Sequence, residues 1–198
     1  MACRAVEGAK VKKIISLFQR NYEGNRLVRD ELTPGAEWVA AGEGIATRKI
    51  DGTCCMVRGG VLWKRYEVKP GGKPPMNFEA ANEINDVTGK QQGWVPVGDG
   101  PEDRWHREAM TVMGGWLPDG TYELCGPKIQ GNPENFTEHC LYRHGELLLN
   151  GVPRDFEGLK SFLSVNDIEG IVWHRGNGEM VKIKGKDFSI KRGAKVVA

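Results

Sequence analysis

The chain has 198 residues, 39% of them hydrophobic and 27% charged, with a formal net charge of +2. This suits a water-soluble globular protein with one sizeable core and excludes a polycation that binds nucleic acid by bulk charge. No apolar run approaches the roughly 18 residues that cross a bilayer. The short apolar patch near the start is broken by lysines and does not read as a signal peptide, so a cytoplasmic location is expected.

In chain order, Val11, Ile14, Ile15 and Phe18 recur at helical spacing and predict a helix over residues 9 to 20. From residue 33 the chain becomes rich in Gly, Val, Ile, Thr, Cys and Trp and reads as strands. "CCMVRGGVLWKRYEV" predicts a hairpin turned by Gly59-Gly60, with Arg65 on the return strand. Residues 69 to 102, crowded with Pro and Gly, read as a long loop excursion. "DRWHREAMTVMGGW" predicts a helix capped by Asp103, with Trp105, Ala109, Val112, Met113 and Trp116 on one core-facing stripe. "GTYELCG" and "HCLYRHGELLL" read as short strands and "DFEGLKSFL" as a helix capped by Asp155. "IEGIVWHRGNGEMVKIKG" predicts a second hairpin, which sets Lys182 and Lys184 on one face of its last strand. The sum is an α+β fold of antiparallel sheets with packed helices, taken as a single domain over residues 1–198.

The five cysteines include no CxxC pair, and the four histidines lack zinc spacing, so reduced thiols and no structural metal are expected. Positive charge gathers at the two ends, "VKKIISLFQR" and "VKIKGKDFSIKRGAK", whereas the acids lie mostly between them.

One lysine stands apart. In "TRKIDGTCCMV", Lys49 heads a strand-forming run and is followed by Asp51-Gly52. At an ordinary pKa of about 10.4 only about one lysine in 2,500 is neutral at pH 7, so a nucleophilic lysine needs neighbouring cations or desolvation. Arg48 and the later lysines are candidates for that field. Gly52 is expected to permit a close backbone approach.

The order Lys49-Ile50-Asp51-Gly52, Arg65, "YELCG" with Glu123, "EGIV" with Glu169 and "VKIK" with Lys182 and Lys184 resembles the collinear motifs of the covalent nucleotidyltransferases, the polynucleotide ligases and RNA capping enzymes. "GPKIQGNPENF" is similar to a stretch of the RNA ligases related to bacteriophage RNA ligase 2. "KIDGTCC", "GWVPV", "IQGNP" and "EGIVWH" are similar to the ATP-dependent 5′-to-3′ RNA ligase family that includes human RNA ligase 1, over residues of about 40 to 187.

The resemblance implies a minimal adenylyltransferase domain (an ATP-grasp-like nucleotidyltransferase) without an appended OB-fold, too few residues following "VKIKGKDF" to form one. It implies that Lys49 takes AMP from ATP as a lysyl-AMP, passes it to an RNA 5′-phosphate, and a 3′-hydroxyl then displaces it. Lys182, Lys184 and Arg65 would neutralise phosphate oxygens. Glu123 would hold the ribose hydroxyls. Glu169 would hold Mg²⁺, with Mn²⁺ as a substitute, and Asp51 would touch ribose or a metal-bound water. Tyr142, or its neighbours Leu141 and His144, would stack on adenine. The basic ends, the loop at 69 to 102, Trp94 and Trp105 are candidate RNA contacts, and no protein partner is implied. Alternatives with the same residues are a DNA or dual-specificity ligase, a GTP-using capping enzyme, and a non-catalytic module that binds nucleotide or RNA ends.

Overall fold

The computed structural model describes residues 14–193. In chain order the elements are β1 Ile15–Ser16, β2 Phe18–Arg20, β3 Val28–Leu32, α1 Glu37–Ala40, β4 Ile45–Lys49, β5 Thr53–Arg58, β6 Val61–Val68, β7 Glu79–Ala80, β8 Gln91–Pro96, α2 Arg104–Val112, β9 Gly120–Cys125, β10 Cys140–Arg143, α3 Phe156–Val165, β11 Gly170–His174 and β12 Met180–Lys184. The fold is α+β, and all but one of its strand pairings are antiparallel. No helix among the described residues is long and apolar enough to cross a membrane. The described chain divides into two compact units, one of residues 52–143 and one of residues 14–51 with 144–193.

The second unit holds a four-stranded sheet in the order β1-β12-β11-β4 and the small β2-β3 pair. Alternation along these strands puts Ala46, Ile171, Trp173, Val181 and Ile183 on one face, where they pack with Leu17, Phe18, Trp38, Leu159 and Leu163 into a core. α3 covers it. Asp155 caps that helix as expected, its carboxylate accepting the Gly158 N–H at 2.8 Å. The first unit is a six-stranded sheet in the order β10-β9-β5-β6-β8-β7. One face packs Cys55, Val57, Leu62, Tyr122 and Leu124 against Ala109 of α2, and the other buries Met56 and Trp94 with Ala81.

Both predicted hairpins form. β5 and β6 turn at Gly59 and Gly60, with φ of +57° and +75°, the paired left-handed residues that match strand twist. β11 and β12 pair from Gly170↔Lys184 to His174↔Met180.

Five expectations fail. Residues 14–20 of the predicted first helix are extended instead: Ile15 pairs in parallel with Val181 and the Leu17 N–H donates to the Lys182 carbonyl at 2.8 Å. A partner over 160 residues away outweighs local helical spacing; residues 9–13 of that prediction lie outside the described chain. Glu37–Ala40, read as strand, is one helical turn that buries Trp38 and Val39. The 69 to 102 excursion contains β7 and β8, because Gly93 lets the Phe78 ring and the Glu79 carbonyl close onto the strand. α2 ends at Val112, so Val112, Met113 and Trp116 are exposed and the buried stripe is His106 and Ala109. Asp103 makes no side-chain cap; its carboxylate takes Lys64 Nζ at 2.5 Å and the Gly98 N–H at 2.8 Å.

Candidate functional site

In the four-stranded sheet the register builds the site. Lys49, Gly170 and Lys184 lie side by side in one row, and Thr47, Val172 and Lys182 in the next. Residues two apart on a strand share a face, so Lys49, Lys182 and Lys184 all rise from the side opposite the core. A Cβ on Gly170 would lie 2.2 Å from the Ile183 carbonyl oxygen, so glycine is what lets β11 approach β12 between the two lysines.

Glu169, just before β11, is 8% exposed and joins this row. Its Oε2 accepts from Lys49 Nζ at 2.6 Å, and its Oε1 is in contact with Lys184 Nζ. Burial alone would raise the Glu169 carboxyl, but the two lysines outweigh it and hold it below the ordinary range. Lys182 is pushed the other way: burial, then the like charges of Lys184 and Lys49, bring it from 10.5 down to about 8. Lys49 and Lys184 thus share the Glu169 carboxylate, while Lys182 feels the charges of Asp187 and Glu169. Asp51 follows β4, with Arg192 Nη1 3.8 Å from its Oδ2. Burial and the charge of Glu169 raise its carboxyl against the opposing pull of Lys49, Arg192 and Lys184.

Arg48 lies on the opposite face from Lys49, in the row of Ile171 and Ile183. The cations that share the Lys49 face are therefore Lys182 and Lys184, not Arg48.

In the six-stranded sheet, Tyr142, Glu123 and Cys54 are in register across β10, β9 and β5. Arg65 lies opposite Trp94 and, by alternation from Trp63↔Met56, shares the face of Cys54. Glu123 is buried, and its Oε1 accepts the Gly52 N–H at 3.1 Å. A Cβ on Gly52 would stand 2.2 Å from the Leu124 carbonyl oxygen, 2.8 Å from Cys125 Sγ and 3.0 Å from Glu123 Cγ. The expected close approach at this glycine is therefore made to β9. Arg65 Nε donates to Gln92 Oε1 at 3.1 Å.

Tyr142 stacks on Phe136, with ring centroids 4.9 Å apart and planes at 27°. Asn132 holds Phe136 in place by accepting its N–H at 2.9 Å and donating to its carbonyl at 3.0 Å. Leu141 is buried in the core of this unit and has no face to offer a base. Trp94, also proposed to touch RNA, is 3% exposed and packed with Met56 and Ala81, which removes it from that role. Trp105 stacks on His139 at 4.4 Å and carries the Arg104 guanidinium 3.9 Å from its ring. Lysines 10, 12 and 13 of the basic N-terminal stretch lie outside the described residues.

The sequence reading missed Gln92 beside Arg65, Phe136 beside Tyr142 and Arg192 beside Asp51. Phe136 carried a signal, since it ends the quoted "GPKIQGNPENF"; the other two are set by strand register and by a chain return, which leave no local mark.

The family model for RNA ligase 1 matches residues 102–195. That span holds Glu123, Tyr142, Glu169, Lys182 and Lys184. The chain is similar to RNA ligase 1. RNA ligase 1 of Mus musculus is 26% identical, over 70% of this chain and 65% of its own length. RNA ligase 1 of Rattus norvegicus gives the same figures, 26%, 70% and 65%, and that of Danio rerio is 25% identical over 74% of this chain and 67% of its own. The chain thus spans about 65% of the length of the mouse and rat RNA ligase 1 proteins it matches.

Proposed function

We propose that this protein is an ATP-dependent RNA ligase that works through a lysyl-AMP. The observation that carries the reading is the Lys49 row: a lysine aimed at a buried carboxylate, with two further lysines on the same face. Such a surplus of positive charge suits a bound polyphosphate. The similarity to RNA ligase 1 over most of the chain supports the same reading.

In the proposed reaction the Lys49 amine attacks the α-phosphorus of ATP. The N–P bond forms, the bond to the pyrophosphate oxygen breaks, and the proton lost from Lys49 has Glu169 Oε2 at 2.6 Å to receive it. The AMP passes to the 5′-phosphate oxygen of an RNA end, restoring the amine, and a 3′-hydroxyl then displaces AMP to form the phosphodiester. Charge grows on non-bridging oxygens in each step, and Lys182, Lys184 and the Arg65 fork neutralise it. Phosphate beside Lys182 would reverse the crowding that brings its pKa to about 8, so binding draws a proton onto it near that pH.

Glu169 and Asp51 are hard oxygen donors and fit Mg²⁺ or Mn²⁺, although both Glu169 oxygens already face ammonium groups. A divalent cation there would supply further neutralisation of phosphate oxygens. Glu123 is assigned to the ribose hydroxyls and Tyr142 to the adenine. The RNA would be held through phosphate by basic side chains, giving salt-dependent binding, and the cytoplasm is the proposed location.

The test is sealing of a nicked RNA duplex with ATP, run beside nicked DNA and beside GTP. RNA sealed with ATP alone is the expected result. Equal sealing of DNA, or a requirement for GTP, would replace this reading with a dual-specificity ligase or a capping-type enzyme.

A further inference from the structure

Arg65 is held in an unusual way for an arginine with a carboxylate on its own strand. Glu67, two residues along β6, shares its face, and a carboxylate beside a guanidinium ordinarily takes both terminal nitrogens in a forked pair. That pair does not form. Gln92 stands opposite Glu67 on β8, diagonal to Arg65. Its Oε1 accepts from Arg65 Nε at 3.1 Å and its Nε2 donates to Glu67 Oε2 at 2.5 Å. Lys90 occupies the other Glu67 oxygen at 2.8 Å, and the Gln92 N–H donates to Asn82 Oδ1 at 3.1 Å.

The amide has one orientation compatible with these neighbours. Arginine offers only donors and the Glu67 carboxylate only acceptors, so the oxygen faces Arg65 and the nitrogen faces Glu67. Among the described residues the terminal nitrogens of Arg65 have no protein hydrogen bond, only Nε being used.

We propose that Gln92 is a positioning residue for Arg65: it occupies Glu67, grips the guanidinium by Nε alone, and leaves the two terminal nitrogens as a fork for a pair of phosphate oxygens. The proposal rests on the reading of Arg65 as a phosphate donor. Without Gln92 the guanidinium turns to Glu67 and the fork is lost.

The experiment measures the rate of covalent labelling by α-labelled ATP in Arg65→Ala, Gln92→Ala, Gln92→Ala with Glu67→Ala, and Gln92→Glu. The expected result is a loss of about tenfold in Gln92→Ala and a larger one in Arg65→Ala, with coupling of this size usual for residues in one network. Removing Glu67 as well should restore most of the Gln92→Ala rate, which a merely structural role for Gln92 would not do. Gln92→Glu keeps the size of the side chain and should be slower than Gln92→Ala, because it sets a carboxylate against the fork. A Gln92→Ala rate like wild type, no recovery on removing Glu67, or a Gln92→Glu rate like wild type overturns the proposal while Arg65 keeps its role. Normal labelling in Arg65→Ala overturns both, and a wild-type protein that takes no label overturns the ligase reading beneath them.

Discussion

The two sheets carry their candidate residues in opposite electrostatic states. On the four-stranded sheet, Lys49, Lys182 and Lys184 crowd one face, Lys49 and Lys184 touch Glu169, and burial together with the like charges brings Lys182 to about 8. On the six-stranded sheet the candidate residues each have a neutral or backbone partner: Glu123 the Gly52 N–H, Arg65 Gln92, and the Tyr142 ring Phe136. One surface gathers like charges; the other is held by neutral contacts. Under the proposed function this is a division of labour in which charge would do the phosphate work and fixed geometry would read the rest.

The largest effect should follow from removing the carboxylate that Lys49 and Lys184 share. Glu169→Ala takes from the partly buried Lys49 and Lys184 the carboxylate that both touch, a change that costs about 3 kcal/mol when such a pair is broken. A urea melt at pH 7 would read it, and covalent labelling should fall at least ~100-fold. If stability were unchanged, the basic face would not depend on Glu169 as described. Gly52→Ala tests the six-stranded sheet. With its Cβ 2.2 Å from the Leu124 carbonyl oxygen, the substitution must shift backbone, at a cost of about 1–3 kcal/mol. Alanine at Gly60, where nothing lies within 4 Å, meets only the positive φ of +75° and should cost about 1 kcal/mol. Equal losses at the two positions would dissolve the distinction between contact and conformation.

The smallest effect has the opposite sign. Lys182→Met should raise the denaturation midpoint slightly, since it removes a half-buried charge from between two others, while it weakens nucleotide binding. The pH dependence follows from the lowered pKa. Between about 8 and 10.5 the unfolded chain binds more protons at this lysine than the folded one, so its contribution to stability rises with pH across that window and is lost as pH falls through about 8. Stability curves of wild type and Lys182→Met should therefore diverge as pH falls from 10.5 to 8, and parallel curves would show that Lys182 is not crowded.

The sequence was most legible where structure is local. Gly59-Gly60 between two β-branched runs, Asp155 before an apolar stripe, and "RGNG" between alternating residues each name their own turn or cap, and each formed. It was least legible where a distant partner decides. Ile15 and Phe18 satisfy a helical spacing as well as a strand, and only pairing with Val181 settles the choice. β8 was hidden because Gly93 and Pro96 read as loop residues, although that glycine is what lets Phe78 pack against the strand. Of the candidate site, the residue types and their strands were readable, and so was the common face of Lys182 and Lys184. The placement of Arg48 away from Lys49, and the neighbours Gln92 and Arg192, depend on register and chain return, which no local pattern encodes.

The most direct measurement is incubation with α-labelled ATP and Mg²⁺, followed by denaturation at alkaline pH, proteolysis and mass mapping of any adduct. The account predicts one AMP per chain on Lys49, absent from Lys49→Ala, stable to alkali, labile to acid, and released when pyrophosphate is added to the native protein. An adduct mapped to another residue, or label retained in Lys49→Ala, would contradict it.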